Sequence, residues 1–581
     1  MKNLYTLKKY FIRYKKKLIW GIFFIILSNI GTVYVPLFLK DAINGLQTTI
    51  TTDKLLNYGL LIIGVSALAG LFRFLIRESI IVVSREIEFD LRRDFWKHIQ
   101  YLPLRYFQNN STGNIMAHAT NDISAVRMFL GPAVMYSLDT VVRLTIVIGI
   151  MLSLNPSLTF YSLLPLPLLS YLVYKVGKII HVKFTKIQEK FSELTTKAQE
   201  NFSGIRVIKS YVREENEINK FNEISKDYLK KNMNLVKTQA LLFPLLFLIT
   251  GFSIIIVIWA GGIKIINNEI NLGEFTAFIV YLGILIWPII AFGWVINIIQ
   301  QGEASMKRLN KIYAEPFEIT DSDKTDFSIN GLKGDIEFRN VSFRYGKHLP
   351  KILNGINLTI PQGSTLAVMG YTGSGKTSFI NLIPRLYDCT NGEIVIGGKN
   401  IKEIPLQILR NNISLVQQEA FLFSDTIKNN IAYGLDKYDE DKIINAAKIA
   451  HLEEEIRSFP KGYETIMGER GITLSGGQKQ RVSLARSLAK DPQVLILDDS
   501  FSAVDTHTEE EILKNLEEQS KNITKIIISH RISTVKNADK IIVLDNAKIV
   551  EEGTHEQLVA QGGIYSELHY KQLLEKELEE I

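Results

Sequence analysis

Before residue 300 the sequence carries six stretches dominated by apolar residues, near 18–39, 55–75, 133–154, 158–176, 241–263 and 275–299. A bilayer's hydrocarbon core takes about 20 residues of helix to cross. In lipid, every backbone N–H and C=O must find its partner inside the protein, so runs of this kind fold as helices. The sequence therefore predicts an all-α domain of six transmembrane helices over residues 1–315. The chain of 581 residues is 46% apolar and 22% charged, a mixture that fits a lipid-embedded part joined to a water-exposed one.

The basic residues set an orientation. Lys8, Lys9, Arg13, Lys15, Lys16 and Lys17 precede the first run, and the long segments between runs two and three and between runs four and five are rich in Lys and Arg. Such segments stay in the cytoplasm. The short links near Gln47, Pro156 and Asn267 then lie outside, and the chain returns to the cytoplasm after six passes. The expected location is the inner (cytoplasmic) membrane, multi-pass, with the bilayer as a partner. Net charge is +7, but with the basic residues flanking apolar runs it argues orientation and not nucleic-acid binding. Lys15-Lys16-Lys17 is read as the flank of the first span, since further spans follow and no small-residue cleavage site does. The one cysteine, Cys389, excludes an intrachain disulfide and a cysteine metal cluster.

The two long segments, near 84–102 and 183–211, repeat apolar residues every three or four positions, which predicts that the membrane helices continue into the cytoplasm. Inner turning points fall near Thr112-Gly113-Asn114 and Asn201-Phe202-Ser203-Gly204. Asp139 and Arg143 share one face of span three; near its cytoplasmic end they are read as a paired structural or interfacial couple, with a functional role, the default for charge inside a span, as the alternative. Trp287-Pro288 predicts a kink in span six, which serves either a gate or packing. Trp294 and Asn297 either line a cavity or pack.

After a linker over 316–333 the pattern changes to strands alternating with helices. A strand is expected over 334–343 and a short buried one at 365–369. Between that strand and a helix expected from Ser378 lies Gly370-Tyr371-Thr372-Gly373-Ser374-Gly375-Lys376-Thr377, which fits the loop that cradles nucleotide phosphates. Its glycines let backbone N–H groups converge on phosphate oxygens. Lys376 reaches the β- and γ-phosphates and the Thr377 hydroxyl ligates Mg²⁺. Val494-Leu495-Ile496-Leu497-Asp498 is a buried strand ending in an acid placed to hold Mg²⁺, directly or through water. The expected fold here is an open α/β sheet.

With Leu474-Ser475-Gly476-Gly477-Gln478 added, residues 334–570 resemble the nucleotide-binding domain of an ABC transporter, and the whole chain resembles a half-transporter of the ABC exporter type. The resemblance implies the following roles. ATP and Mg²⁺ are the cofactors. Tyr345 stacks on adenine, and residues Gly370 to Ser378 hold the phosphates. Gln418 senses Mg²⁺ and His530 contacts the γ-phosphate. Ser475, Gly477 and Gln478 meet ATP held by a second cassette. Gly468-Glu469-Arg470-Gly471 touches the inner turns, and Ser502-Ala503-Val504-Asp505 crosses the dimer interface. One cassette per chain implies a second half-transporter. The tail over 571–581 has no assigned role.

One position departs from the family's pattern. Asp499 stands where active cassettes usually carry Glu. Its carboxylate positions the attacking water, and a reach shorter by roughly 1.5 Å is a displacement that costs on the order of 10²-fold in rate. The combination resembles one half of a heterodimeric, multidrug-type exporter for amphipathic small molecules. This chain would bind ATP at its own slow, degenerate site and lend an intact signature to its partner. A homodimeric lipid or peptide exporter is the alternative, and a non-transporting membrane ATP sensor is a third reading. No peptidase-like domain precedes the first span, which speaks against a peptide-processing exporter.

Overall fold

The structure is a computed structural model that describes residues 2–47, 51–468, 474–519 and 522–579. The chain divides into two compact units. The first runs to Gln100 and from Ser111 to Glu315; the second combines Tyr101–Asn110 with the chain from Pro316 onward.

The first unit is helical throughout. Five helical segments among the described residues are long and apolar enough to cross a membrane: Lys15–Leu46, Thr52–Gln100, Thr112–Leu154, Phe247–Ile266 and Leu272–Tyr313. The fourth expected span is divided. One helix covers Pro156–Leu163 and the next starts at Leu166, with Leu164 and Pro165 in the break. Pro165 has no N–H for the ladder, so it starts a helix more readily than it continues one. By contrast, the helices containing Pro36, Pro244 and Pro288 run on through them. The charged extensions are helical: Val82–Gln100 follows the second span, and Leu166–Ser203 leads to a break at Gly204 before the short helix Ile205–Ser210. The other expected turning point, Thr112-Gly113-Asn114, falls in the first turn of the short helix Thr112–Ala117, which Ser111 caps; the helix Leu104–Asn109 before it belongs to the second unit.

The core of this unit centres on Val33, Val147, Val257, Phe278 and Tyr281. Tyr281 is fully buried, and its hydroxyl donates to the Val33 carbonyl at 2.9 Å. A phenol in an apolar core needs that bond, because an unpaired buried hydroxyl costs about 1–3 kcal/mol. The ladder widens to π-helical turns at Arg77–Ile81, His118–Asp122 and Phe129–Ala133. Asp139 and Arg143 form an ion pair at 3.0 Å, as their spacing predicts. Trp294 packs edge-on against Tyr136, ring centroids 5.4 Å apart.

The second unit has two sheets. Its strands are β1 Ile336–Phe343, β2 Leu353–Ile360, β3 Thr365–Met369, β4 Asn391–Ile396, β5 Lys399–Asn400, β6 Ile413–Val416, β7 Val494–Asp498, β8 Thr524–Ile528, β9 Lys540–Asp545 and β10 Lys548–Gly553. The larger sheet has order β10-β9-β3-β8-β7-β6. It is parallel from β9 to β6, with β10 antiparallel at the edge. The smaller sheet, β2-β1-β4-β5, is antiparallel. Phe338, Ile356, Phe379, Ile496 and Ile526 belong to one core between them. The parallel strands are buried on both faces, which is why β7 runs apolar up to Asp498 and β8 ends in three isoleucines.

The helix after the phosphate loop is Lys376–Leu382, so it begins two residues before the expected Ser378. Lys376 and Thr377 form its first turn. Cys389 is a free, half-buried thiol, raised above its ordinary value by burial.

Candidate functional site

The site forms at the C-terminal ends of β3, β7 and β8, where a parallel sheet gathers the loops that follow its strands. β3 ends at Met369 and feeds the Gly370–Thr377 loop. Gly375 has φ +101°, and a Cβ there would lie 2.9 Å from the Ile352 carbonyl oxygen. The position therefore demands glycine on both backbone and steric grounds. In the loop, the Lys376 ammonium donates to the carbonyls of Gly370 at 2.8 Å and Tyr371 at 3.0 Å. Burial pushes this ammonium below its ordinary value, against the pull of Asp498 and Asp499. The Ser374 hydroxyl is buried without a hydrogen-bond partner, an orphan that an incoming oxygen acceptor would satisfy.

β7 delivers Asp498 and Asp499. Thr377 Oγ1 lies 3.5 Å from Asp498 Oδ1. Burial pushes the Asp498 carboxyl above its ordinary value, the Thr377 contact opposes this, and the neighbouring Asp499 charge adds to it. A buried carboxylate beside a threonine hydroxyl is an oxygen donor set of the kind Mg²⁺ prefers, with phosphate and water oxygens filling its octahedron. Among the described residues no group of three or more His, Cys, Asp or Glu side chains could hold a metal. Thr377, Asp498 and Gln418 are the residues here that could hold Mg²⁺.

Asp499 sits in the left-handed region at φ 46°, which aspartate tolerates better than most residues. Its Oδ2 accepts from Gln418 Nε2 at 3.2 Å and lies 3.4 Å from His530 Nε2. The structure thus gathers Lys376, Thr377, Gln418, Asp498, Asp499 and His530 around one point, although they span more than 150 positions of sequence. Tyr345 is held nearby, its hydroxyl 2.8 Å from that of Ser378 and its ring edge-on to Tyr387 at 5.2 Å.

Leu474, Ser475, Gly476, Gly477 and Gln478 form a second element. Ser475 caps the helix Gly476–Leu488 in a reciprocal box: its hydroxyl accepts from Gln478 N–H, and the Gln478 side chain accepts from Ser475 N–H at 2.9 Å. Ser475 and Gly476 are exposed. A Cβ on Gly477 would lie 2.6 Å from the Ala503 carbonyl oxygen, so this glycine lets the 502–505 loop lie against the helix start. Asp505 caps the next helix by accepting from Thr508 N–H at 2.9 Å. Among the described residues, no hydrogen bond joins 475–478 to the phosphate loop. Gly468 is described, whereas Glu469, Arg470 and Gly471 lie outside the described residues.

Two residues without weight in the sequence reading belong to this machinery. Gln480 is buried; its amide donates to Ser502 Oγ at 3.0 Å and its carbonyl accepts from Ala503 N–H at 3.1 Å. Glu455 accepts from Gln478 at 3.0 Å and from Arg481 at 2.6 Å. Only their contacts betray them, since no spacing rule links 455 to 478.

Known proteins resemble this chain over most of its length. The family profile described as "ABC transporter transmembrane region" matches residues 18–289, and the one described as "ABC transporter" matches 353–502. A Bacillus subtilis protein, the probable multidrug resistance ABC transporter ATP-binding/permease protein YheI, is 36% identical over 98% of this chain and 96% of its own. The ATP-dependent lipid A-core flippase of Desulfotalea psychrophila is 38% identical over 84% of this chain and 85% of its own. A solved bacterial Atm1-family ABC exporter with ATP bound superposes with a TM-score of 0.79 at 26% identity, covering 96% of this chain and 98% of that one. The chain belongs to the ABC transporters, among the exporters that join a helical transmembrane domain to an ATP-hydrolysing domain.

Proposed function

We propose that this exporter chain is one half of a heterodimer that moves amphipathic small molecules across the cytoplasmic membrane, and that its own ATP site hydrolyses slowly. The observation that carries the reading is the pairing of a shortened carboxylate, Asp499, with an intact Ser475–Gln478 turn whose first two residues are exposed. ATP phosphates lie on the loop from Gly370 to Ser378, with Lys376 moving from its carbonyl partners to the β- and γ-phosphates and Tyr345 against adenine. Mg²⁺, when bound through Thr377, Asp498 and Gln418, neutralises phosphate charge. Asp499 orients the attacking water, and His530 and Gln418 hold its carboxylate. Drawn toward both and one methylene short, that carboxylate aligns water poorly. The partner supplies Glu at the matching position and uses this chain's Ser475, Gly477 and Gln478.

Pairing of the two cassettes around ATP shifts the membrane helices between inward- and outward-open arrangements. The exposed apolar side chains about the Ile205–Ser210 turn, among them Phe202, Val207 and Tyr211, favour docking against a second subunit. The membrane domain ends near 315 and the ATP domain begins near 334, both with the N-terminus on the cytoplasmic side. The likeness to a lipid A-core flippase favours a second reading, a homodimer that moves lipid.

The test is ATP hydrolysis by the purified chain alone. The heterodimer reading expects slow turnover that rises on adding the partner chain. Brisk turnover at two equivalent sites, with uptake of a fluorescent lipid into vesicles, would replace it with the second reading.

A further inference from the structure

The membrane unit holds a cavity of about 210 Å³ lined by Arg73, Arg77, Tyr136, Asp139, Arg143 and Trp287, among others. Its charges are unequally satisfied. Arg143 is spent within the cluster: its Nη2 pairs with Asp139 at 3.0 Å and its Nε donates to Asn29 Oδ1 at 2.9 Å. Asn29, fully buried, also donates to Asp139 at 2.8 Å. Arg73 and Arg77 are exposed, and among the described residues neither has a carboxylate partner. The wall therefore carries three guanidiniums and one carboxylate.

Arg73 lies in the last turn of the helix Thr52–Ile76, and Arg77 opens the π-helical turn Arg77–Ile81. At about 1.5 Å per residue, Arg73 stands about 30 Å along the helix from Thr52, at one edge of a hydrocarbon core. The third π-helical turn, Phe129–Ala133, leads directly into the helix that carries Tyr136 and Asp139. Widened turns of this kind re-aim side chains and recur at functional sites. Trp287 gives the rim an exposed aromatic face. Charge within a span is expensive unless something compensates it. Two free guanidiniums at the edge of the apolar zone, with an aromatic wall beside them, present what an anionic headgroup joined to an apolar tail requires.

We infer that this cavity is a binding site for the anionic head of an amphiphile, a carboxylate or phosphate ester attached to an apolar tail, with Arg73 and Arg77 as its counter-ions. The inference rests on the reading of the membrane unit as a path for amphiphiles and narrows the class that it takes. The Asn29–Asp139–Arg143 cluster fixes one wall, and the two unpaired arginines select charge. Either a membrane lipid or a free amphiphile supplies such a head.

The experiment uses the full-length chain in nanodiscs of neutral lipid. A fluorescent single-tailed carboxylate and the amine of the same tail and fluorophore are compared by anisotropy. The carboxylate should bind on the order of tenfold or more tighter. Arg73→Gln with Arg77→Gln should erase that preference, whereas Arg73→Lys with Arg77→Lys should retain most of it. Equal affinities of wild-type protein for the two probes overturn the site, as does a preference that survives the Gln pair. If the Gln pair fails to fold, the wild-type comparison and the Lys pair still decide. Competition by phosphatidylglycerol in the disc identifies a lipid source, and competition only by soluble carboxylate amphiphiles identifies a free one. ATP-driven uptake without charge preference sinks this site but leaves export standing. Charge-selective binding without ATP-driven uptake, with or without a partner chain, does the reverse.

Discussion

The two working faces of the ATP unit are built to different tolerances. Around Asp499 the polar contacts are long, 3.2 Å to Gln418, 3.4 Å to His530 and 3.5 Å between Thr377 and Asp498, and two carboxylates share a buried corner. Around Ser475 the contacts close on themselves: a reciprocal capping box at 2.9 and 3.2 Å, with Glu455 holding Gln478 at 3.0 Å and Arg481 at 2.6 Å. Long contacts between buried charges suit a site whose side chains rearrange when phosphate and metal arrive. A closed network suits a surface that must keep its shape before its partner arrives. The face around Ser475 is closed by its own contacts, and the face around Asp499 is not.

The largest expected effect breaks this contrast at its weak side. Asp499→Glu should raise hydrolysis at this chain's own site on the order of 10²-fold, the scale of correcting a misplacement of about 1 Å. Its cost is a small loss of stability, because glutamate is less at home than aspartate at φ 46°. Unchanged turnover in the presence of the partner, measured by phosphate release, would mean that the aspartate already serves. On the firm side, Glu455→Gln removes the charge that braces Gln478 and Arg481. A charged hydrogen bond of this kind contributes about 1.5–3 kcal/mol, so activity supported by this chain's Ser475 in the mixed dimer should fall roughly tenfold or more. ATP affinity at the Gly370–Thr377 loop should hold, as followed by a fluorescent ATP analogue.

Asp498→Asn sharpens the contrast through stability. The Asp498 carboxyl is raised by burial, so the folded state holds its proton more firmly than the unfolded chain does. The native state is then favoured below the ordinary carboxylate range and loses that advantage as pH rises through the raised value. At neutral pH without metal the ionised group is a liability. The Asn variant, which still accepts from Thr377, should melt at a higher temperature than the wild type at pH 7 and no higher in acid, while losing hydrolysis. Thermal melts in EDTA from acid to neutral pH check this. An Asn variant less stable at pH 7 would show that Asp498 is already well compensated by Lys376.

The same contrast appears in what sequence alone reveals. The phosphate loop, β7 with Asp498, and the Asp139–Arg143 pair were legible because each is local: a glycine pattern, an apolar run ending in acid, a four-residue spacing. Asn29 joins that pair from 110 positions away, and no local rule finds it. The antiparallel sheet β2-β1-β4-β5 was missed for a related reason. Strand patterns declare a strand and leave its sheet open, and β1 loses register with both neighbours near Asn340, whose φ is 51°. The division of the fourth span at Leu164–Pro165 was readable from the proline but outweighed by continuous apolarity. That Tyr101–Asn110 belongs to the second unit depends on contacts such as Tyr101 with Phe317, ring centroids 6.0 Å apart, which unite sequence-distant residues.

The smallest effect tests whether the loose face is loose throughout. Tyr345 is fixed at two ends, by Phe343 and Tyr387 rings at 4.9 and 5.2 Å and by its hydroxyl 2.8 Å from Ser378. Tyr345→Phe keeps the ring contacts and removes only the hydroxyl, which contributes about 0.5–1.5 kcal/mol if its bond holds the ring where adenine stacks. ATP affinity should then fall roughly two- to tenfold, with the hydrolysis rate at saturation unchanged, because the lost interaction is uniform binding and not made only in the transition state. Tyr345→Leu, which also removes the stacking face, should weaken ATP further. If Phe matches Tyr in affinity, the aromatic cluster alone orients the ring, and the looseness of this face is confined to the charged groups around Asp499.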